Sequence, residues 1–231
     1  MKSSDAISNI DILNNNNVYA AGGFSVAKFN GTSWTDISPG NGLPQSLTKD
    51  AAGNIWLADD GIEKYNGSTW NYIAAPAGLT SANEIVVDQS NNVWVTYGGG
   101  AKVGKYSQSN NTWTVYDTTN VPLFPKSWHW YTDIEVTHDN KVIVSSPSDP
   151  SLYFNGTSWA ELDILSGLSM SVVKDITVRN NVSWFGMCNG FGLASYNGTV
   201  WKKYTTNPSY IPIKGIRFDS QGYLWMTAKL K

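Results

Sequence analysis

The tryptophans of this chain recur in phase with an internal repeat, and this periodicity constrains the fold more than any other feature. The 231 residues include eleven tryptophans. Nine of them mark two positions of the repeat. The first position lies in a strand-like run and is held by Trp56, Trp94, Trp184 and Trp225, with Tyr19 and Ile143 at the same place in the other units. The second follows an Asn-Gly type of turn and is held by Trp34, Trp70, Trp113, Trp159 and Trp201. Aromatic residues in phase with a repeat are typical of a core, so we predict that these nine are structural. Trp128 and Trp130 are out of phase and need a separate explanation.

Each repeat is about 42 residues long, a period typical of propellers and solenoids. It opens with an alternating run such as residues 85–88, which predicts a first strand. A polar turn, a second strand with the first tryptophan, and a third strand follow. A tight turn then leads to strand four, and Asn-Gly is a strong hairpin signal there. The units are approximately residues 7–38, 43–74, 81–117, 131–163, 172–205 and 212–231, and the last contains two strands.

Four antiparallel strands per unit, with almost no helical periodicity, predict an all-β fold. We expect a single β-propeller domain over residues 1–231, with five complete four-stranded blades, a partial sixth, and 22 strands in total. An incomplete blade leaves an unpaired strand edge. We therefore expect that edge to be covered by a protein partner or by further sequence, unless a short last blade closes the ring.

Residues 50–67 carry the pattern Asp-x-x-Gly-Asn-Ile-Trp-Leu-Ala-x-Asp-Gly-Ile-x-Lys-Tyr-Asn-Gly. This pattern resembles the two-component regulator propeller repeat, found in extracytoplasmic sensor regions of bacterial hybrid histidine kinases and in related secreted proteins. In degenerate form the resemblance covers nearly the whole chain. It implies a sensor or ligand-binding propeller in the periplasm or outside the cell.

Composition excludes several classes of function. Charged residues make up 15% of the chain and the net charge is −2, without the clustered Lys and Arg that nucleic acids or anionic membranes require. No apolar run reaches the length of about 18 residues that a membrane span needs. The first residues lack the apolar stretch of a signal peptide. Cys188 is the single cysteine, so an intrachain disulfide is impossible.

The candidate site lies on the propeller face that carries the loops from strand four to the next strand one and from strand two to strand three. One loop on this face, residues 117–131, is unusually long, and long loops on compact scaffolds are often functional. Its aromatic rings could stack on a sugar or a planar ligand while its polar groups bind the rim. The loop residues are Phe124, Lys126, Trp128, His129 and Trp130, and the partners expected on the same face are Asp59, Asp60, Tyr97, Phe191 and Tyr210.

Other interpretations stay open at this point. The loop could instead fold inward, plugging the channel or capping the third and fourth blades. A lyase or hydrolase would use His129, or carboxylates drawn from Asp59, Asp60 and Asp149, but no evident catalytic set accompanies them. The leading hypothesis is a non-enzymatic module that binds a small molecule or glycan, without cofactor or metal. The second is a protein–protein interaction propeller.

Two repeated motifs have a structural explanation. Six Asn-x-Ser/Thr sequons occur, and five of them coincide with the hairpin turn, whose geometry favours Asn-Gly; we predict turns there rather than glycan sites. The Asp-x-x-Gly-Asn turns lack the alternating carboxylates of a calcium loop.

Overall fold

A computed structural model describes residues 9–14, 17–22, 25–40, 43–59, 61–125, 131, 133–146, 149–162, 173–187, 192–204 and 213–228. Within these ranges the regular structure consists of 22 β-strands. Every sheet is antiparallel, and its strands follow one another in chain order. The all-β propeller fold predicted from the repeat is therefore confirmed.

The chain divides into two compact units, Met1–Asn120 and Val121–Lys231. The first unit holds three four-stranded sheets, which we call blades one to three. Their strands are β1 (Asn9–Asn14), β2 (Asn17–Gly22), β3 (Ser25–Phe29) and β4 (Trp34–Asp36); β5 (Ser46–Lys49), β6 (Ile55–Ala58), β7 (Ile62–Tyr65) and β8 (Trp70–Ile73); and β9 (Ala82–Val87), β10 (Asn92–Tyr97), β11 (Lys102–Ser107) and β12 (Thr112–Tyr116).

The second unit holds two four-stranded sheets, blades four and five, and a two-stranded sheet, blade six. Their strands are β13 (Asp133–Val136), β14 (Val142–Ser145), β15 (Leu152–Phe154) and β16 (Trp159–Glu161); β17 (Val173–Arg179), β18 (Val182–Met187), β19 (Gly192–Tyr196) and β20 (Trp201–Tyr204); and β21 (Ile213–Phe218) and β22 (Leu224–Ala228). That the six sheets form a single domain stays a prediction.

In three blades, the turn between the first two strands is built around one aspartate. In blade three, Asp88 Oδ1 accepts hydrogen bonds from the backbone N–H groups of Ser90 (2.9 Å) and Asn92 (2.8 Å). Its Oδ2 accepts from the indole Nε1 of Trp94 at 2.8 Å. One carboxylate therefore closes the turn and positions the tryptophan six residues later. We call this arrangement the aspartate clasp.

The aspartate clasp recurs in two other blades. In blade two, Asp50 accepts from Trp56 Nε1 at 3.1 Å, and in blade six Asp219 accepts from Trp225 Nε1 at 2.8 Å. Burial opposes ionisation of Asp50, but hydrogen bonds from Asn54 and Trp56 outweigh it and lower the pKa of this carboxyl group. The Asp-x-x-Gly-Asn turns thus use their carboxylates to hold the fold.

Aromatic side chains from neighbouring blades fill the space between sheets. In the first unit, the β2 ring of Tyr19 lies 6.5 Å from Tyr65, and the β6 ring of Trp56 lies 6.2 Å from Tyr106. A lysine on the adjacent strand covers the other side: the Nζ of Lys64 lies 4.9 Å from the centre of the Trp56 ring. The in-phase aromatic residues therefore act as wedges between twisted sheets.

Two in-phase tryptophans depart from the predicted core. Trp34 is 50% exposed and Trp225 is 67% exposed, whereas Trp56 and Trp94 are each 1% exposed. Trp34 belongs to blade one, which has no preceding blade in its unit, and Trp225 belongs to blade six, which has no following blade in its unit. The prediction of a core position was wrong for these two residues, because burial requires a neighbouring sheet as well as the repeat.

The Asn-Gly sequons form hairpin turns, as predicted. Asn30 Oδ1 accepts from the backbone N–H groups of Thr32 (3.0 Å) and Ser33 (2.9 Å). The same pair of bonds recurs at Asn66, Asn155 and Asn197. The glycine that follows each asparagine has a positive φ of 96° to 101°, which favours glycine.

The aspartate clasp gives a direct test of what holds the blades together. We expect Asp88→Ala to lower the free energy of unfolding by about 2–4 kcal/mol, since a buried indole N–H and two turn N–H groups lose their acceptor. Urea denaturation followed by tryptophan fluorescence measures this loss. Asp219→Ala is the matched control, because it removes the same clasp around an exposed tryptophan; a similar loss in both variants would contradict the explanation.

Candidate functional site

Most of the residues predicted for the ligand site lie outside the described residues. These are Lys126, Trp128, His129 and Trp130 of the long loop, together with Asp60, Phe191 and Tyr210. Their role stays a prediction. Asp59, Tyr97 and Phe124 are described, and all three are buried.

Phe124 belongs to the core of the second unit. Its ring makes edge-to-face contacts with Tyr131 and Trp159, with 5.1 Å between the ring centres in both pairs. Trp159 lies on β16, so this part of the long loop covers blade four. At Phe124 the structure thus favours the capping role that the sequence left open.

Asp59 and Tyr97 lie in the first unit, at the ends of β6 and β10. Asp59 Oδ1 accepts a hydrogen bond from the backbone N–H of Leu43 at 2.9 Å. Glu63, on β7, is also buried. Burial, followed by the negative charge of Asp59, raises the pKa of Glu63 to about 7. Near neutral pH a sizeable fraction of Glu63 is therefore protonated and can donate a hydrogen bond.

Tyr72 and Tyr97 complete this group. Tyr72 on β8 pairs with Glu63 across the sheet and is 57% exposed. Burial, and to a smaller extent Tyr72, raises the pKa of Tyr97, so its phenol stays neutral. Among the described residues, the buried hydroxyl of Tyr97 has no hydrogen-bond partner. We call Asp59, Glu63, Tyr72 and Tyr97 the acid–tyrosine cluster.

A glycine positions the exposed ring of this cluster. A Cβ atom on Gly61, in the connection between β6 and β7, would lie 2.8 Å from the carbonyl oxygen of Ile73 and 3.0 Å from the Tyr72 ring. Gly61 therefore lets the Tyr72 side chain lie against the strand-two to strand-three connection. The sequence predicts that this class of connection shares a face with the long loop of the ligand site.

Sequence reasoning missed Glu63, although the repeat contained a signal. Cross-strand pairing places Glu63 opposite Leu57. The corresponding positions of the other complete blades are Ala27, Gly104, Leu152 and Ala194. Glu63 is thus a carboxylate at a position that is otherwise small or apolar, and aligning the repeats against one another would have revealed it.

The second unit contains a related pair. Tyr131 is buried, and its hydroxyl likewise has no partner within the described part of the chain. Burial and then the charge of Asp149 raise the pKa of Tyr131. Asp149 accepts a hydrogen bond from Ser146 Oγ at 2.7 Å. This aspartate, considered above as a hydrolase carboxylate, is therefore tied to its own connection.

The described residues also bear on metal and membrane chemistry. Within these ranges, no group of three His, Cys, Asp or Glu side chains is arranged to hold a metal ion. Over the same ranges, no helix has the length and hydrophobicity to cross a membrane.

Comparison with known proteins establishes similarity at the level of structure. No family model and no curated protein matches the sequence. A catalytically inactive virginiamycin B lyase from Staphylococcus aureus, crystallised with quinupristin, matches with a TM-score of 0.79 at 14% identity, covering 98% of this chain and 79% of the lyase.

Sensor ectodomains give a similar match. The extracellular domain of a hybrid two-component system from B. thetaiotaomicron has a TM-score of 0.73 at 17% identity, covering 99% of this chain and 33% of that chain. The extracellular domain of a one-component system from the same organism has a TM-score of 0.73 at 16% identity, with coverage of 99% and 31%. This chain thus spans a minor part of the sensor proteins. At such identities the likeness shows the β-propeller fold and nothing finer.

The raised pKa of Glu63 predicts how stability depends on pH. Because the pKa rises from 4.5 in the unfolded chain to about 7 in the folded one, the unfolded chain binds fewer protons between these values. The free energy of unfolding should therefore fall as pH rises from 4.5 to 7. We expect Glu63→Gln to remove this slope and to be more stable than the unaltered chain at pH 8 by about 1–2 kcal/mol.

Urea denaturation at pH 4.5 and pH 8 measures the effect. Glu161→Gln is the control, because Glu161 is exposed and its substitution should leave the slope unchanged. Equal pH slopes in the unaltered chain and in Glu63→Gln would show that Glu63 ionises normally.

Proposed function

We propose that this chain is a non-enzymatic, ligand-binding or sensing β-propeller module that acts in the periplasm or outside the cell. The acid–tyrosine cluster carries the proposal. Its exposed member, Tyr72, offers a ring to a ligand, and the polar groups of Asp59, Glu63 and Tyr97 are buried in the same cluster. Likeness in fold to extracellular domains of bacterial two-component systems supports the assignment to sensing.

The cluster is suited to a ligand with hydroxyl groups, such as a glycan. Tyr72 presents an exposed ring on which a sugar face can stack. Asp59 contributes a carboxylate, whereas Glu63 near neutral pH supplies both a donor and an acceptor. This mixture of hydrogen-bond donors and acceptors matches the hydroxyl groups of a polyol, which both donate and accept. The predicted stacking residues Trp128 and Trp130 of the long loop belong to the second unit and form a separate part of the proposal.

A titration with a panel of oligosaccharides tests the proposal. We expect saturable binding, weakened at least tenfold by Tyr72→Ala because the stacking surface is lost. Tyr223→Ala is the matched control, since Tyr223 is 66% exposed and lies in the other unit. Isothermal titration calorimetry measures both affinities. Absence of binding across the panel, or equal effects of the two substitutions on affinity, would refute the proposal.

The long loop is tested separately by Trp128→Ala and Trp130→Ala. We expect both variants to weaken oligosaccharide binding while circular dichroism shows an unchanged fold. Binding unaltered by either substitution would assign the loop to capping the blades.

A second candidate function is a protein interaction module, favoured by the exposure of Trp225. The clasp around Trp225 matches that around Trp94, yet Trp225 is 67% exposed and Trp94 is 1% exposed. Strands that extend β22 together with a neighbouring sheet, from a partner or from further sequence, would bury this ring, as blade three buries Trp56 of blade two. We expect light scattering to detect self-association of the chain through this edge. The substitution Trp225→Ser should abolish that association. A monodisperse monomer with β21 and β22 protected from hydrogen exchange would refute this alternative.

A further inference from the structure

The junction between blades four and five differs from the other junctions described within a unit. In the first unit, a strand-two aromatic ring lies against the strand-three tyrosine and strand-four tryptophan of the next blade. Tyr19 lies against Tyr65 and Trp70, and Trp56 lies against Tyr106 and Trp113. Blade five has the corresponding tyrosine and tryptophan, Tyr196 and Trp201. Their rings stack with 4.6 Å between ring centres and 25° between planes.

The ring that should meet this pair is absent from blade four. Ile143 occupies the strand-two position, and its cross-strand neighbour is Tyr153 instead of a lysine. Thr137 stands six residues earlier, where blades two and three have the aspartate of the clasp. Blade four has therefore lost both the indole and the carboxylate that would hold it.

A cavity of about 200 Å³ lies where the missing ring would fit. Its apolar wall consists of Ile143, Tyr153, Leu162, Phe185, Tyr196 and Trp201. An engineered apolar cavity of about 150 Å³ is known to bind benzene, so this volume suits one or two fused rings.

Beside the cavity, the charges of Lys141 and Asp139 neutralise each other, and the remaining charge, on Glu161, faces solvent, which screens it. Lys141 Nζ lies 5.2 Å from the centre of the Tyr196 ring and 5.7 Å from that of Tyr153. Asp139 Oδ2 accepts a hydrogen bond from this ammonium group at 2.7 Å and balances its charge. Glu161, at the polar side of the cavity, is exposed. This border favours an uncharged ligand.

Hydrogen bonds between His138 and Ser183 also join blades four and five beside the cavity. The backbone N–H of His138, in blade four, donates to Ser183 Oγ of blade five at 3.0 Å, and His138 Nδ1 lies 2.9 Å from the same oxygen. A hydrogen-bonded junction resists collapse into an unfilled space, and a preformed cavity lowers the ordering cost of binding.

We propose that this cavity binds a small, uncharged, planar aromatic molecule of the size of indole. The ligand takes the place that a strand-two aromatic ring occupies at the other junctions. Its faces lie against Tyr196, Trp201 and Phe185, and its edge meets the Lys141 side of the cavity. This site lies in the second unit and is independent of the acid–tyrosine cluster, so either proposal can fail without the other.

Indole itself is the probe, and protein NMR follows the methyl signals of Ile143 and the indole N–H of Trp201. We expect saturable shifts at these residues. Cyclohexanol, which lacks a π face, should bind at least fivefold more weakly. No saturation by indole up to its solubility limit would overturn the proposal, and equal binding of cyclohexanol would overturn its aromatic specificity.

Ile143→Trp restores the missing ring from within the chain. We expect it to weaken indole binding at least tenfold, because the introduced side chain fills the cavity, while the melting temperature stays equal or rises. Val178→Trp is the control, since it adds a tryptophan at an exposed position of β17 and should leave binding unchanged.

Ile143→Phe is a second, smaller filling variant in case the first does not fold, and it should weaken binding in the same direction. Indole binding that a folded filling variant leaves unchanged would place the ligand elsewhere and refute the cavity as its site.

Discussion

In blades two, three and six, the geometry of the first two strands depends on the hydrogen bond between a turn aspartate and the indole six residues later. A carboxylate with two oxygens serves two purposes at once: one oxygen closes the turn between strands one and two, and the other fixes the ring of the second strand. Because the ring is fixed, it presents a constant surface to the next blade. In blade two, the fixed ring of Trp56 packs with Tyr106 and Trp113 of blade three. Tyr19 of blade one packs with blade two in the same way without a clasp.

The informative parts of the chain are those where this pattern is changed. In blade two, the clasp is intact but a carboxylate replaces the small or apolar residue at position 63, which places a partly protonated acid beside Asp59 and below an exposed tyrosine. In blade four, the clasp is lost and a cavity appears. A repeat fold tolerates such changes because the clasp is retained in blades two, three and six, and functional chemistry can develop where a single repeat departs from the rest.

Strand order and turn type were predictable because they depend on neighbours in sequence. Alternation of apolar residues marked the strands, and Asn-Gly marked hairpins whose asparagine oxygen accepts two backbone N–H groups. The candidate site was less accessible to sequence reasoning. Phe124 was assigned to a ligand loop, but its ring packs on Trp159, which lies 35 positions later in the numbering. Glu63 stands out when the repeats are aligned, but its raised pKa comes from burial and from the charge of Asp59, which are properties of the folded chain.

The sequence by itself determined the period, the antiparallel order of strands and the clasp, because each depends on residues a few positions apart. Tertiary structure alone decided which identical motifs are buried. Asp88 with Trp94 and Asp219 with Trp225 have the same spacing and the same hydrogen-bond length of 2.8 Å, yet one indole is enclosed and the other faces solvent. The difference arises because a local hydrogen bond orients a side chain, whereas a neighbouring sheet is needed to remove it from water.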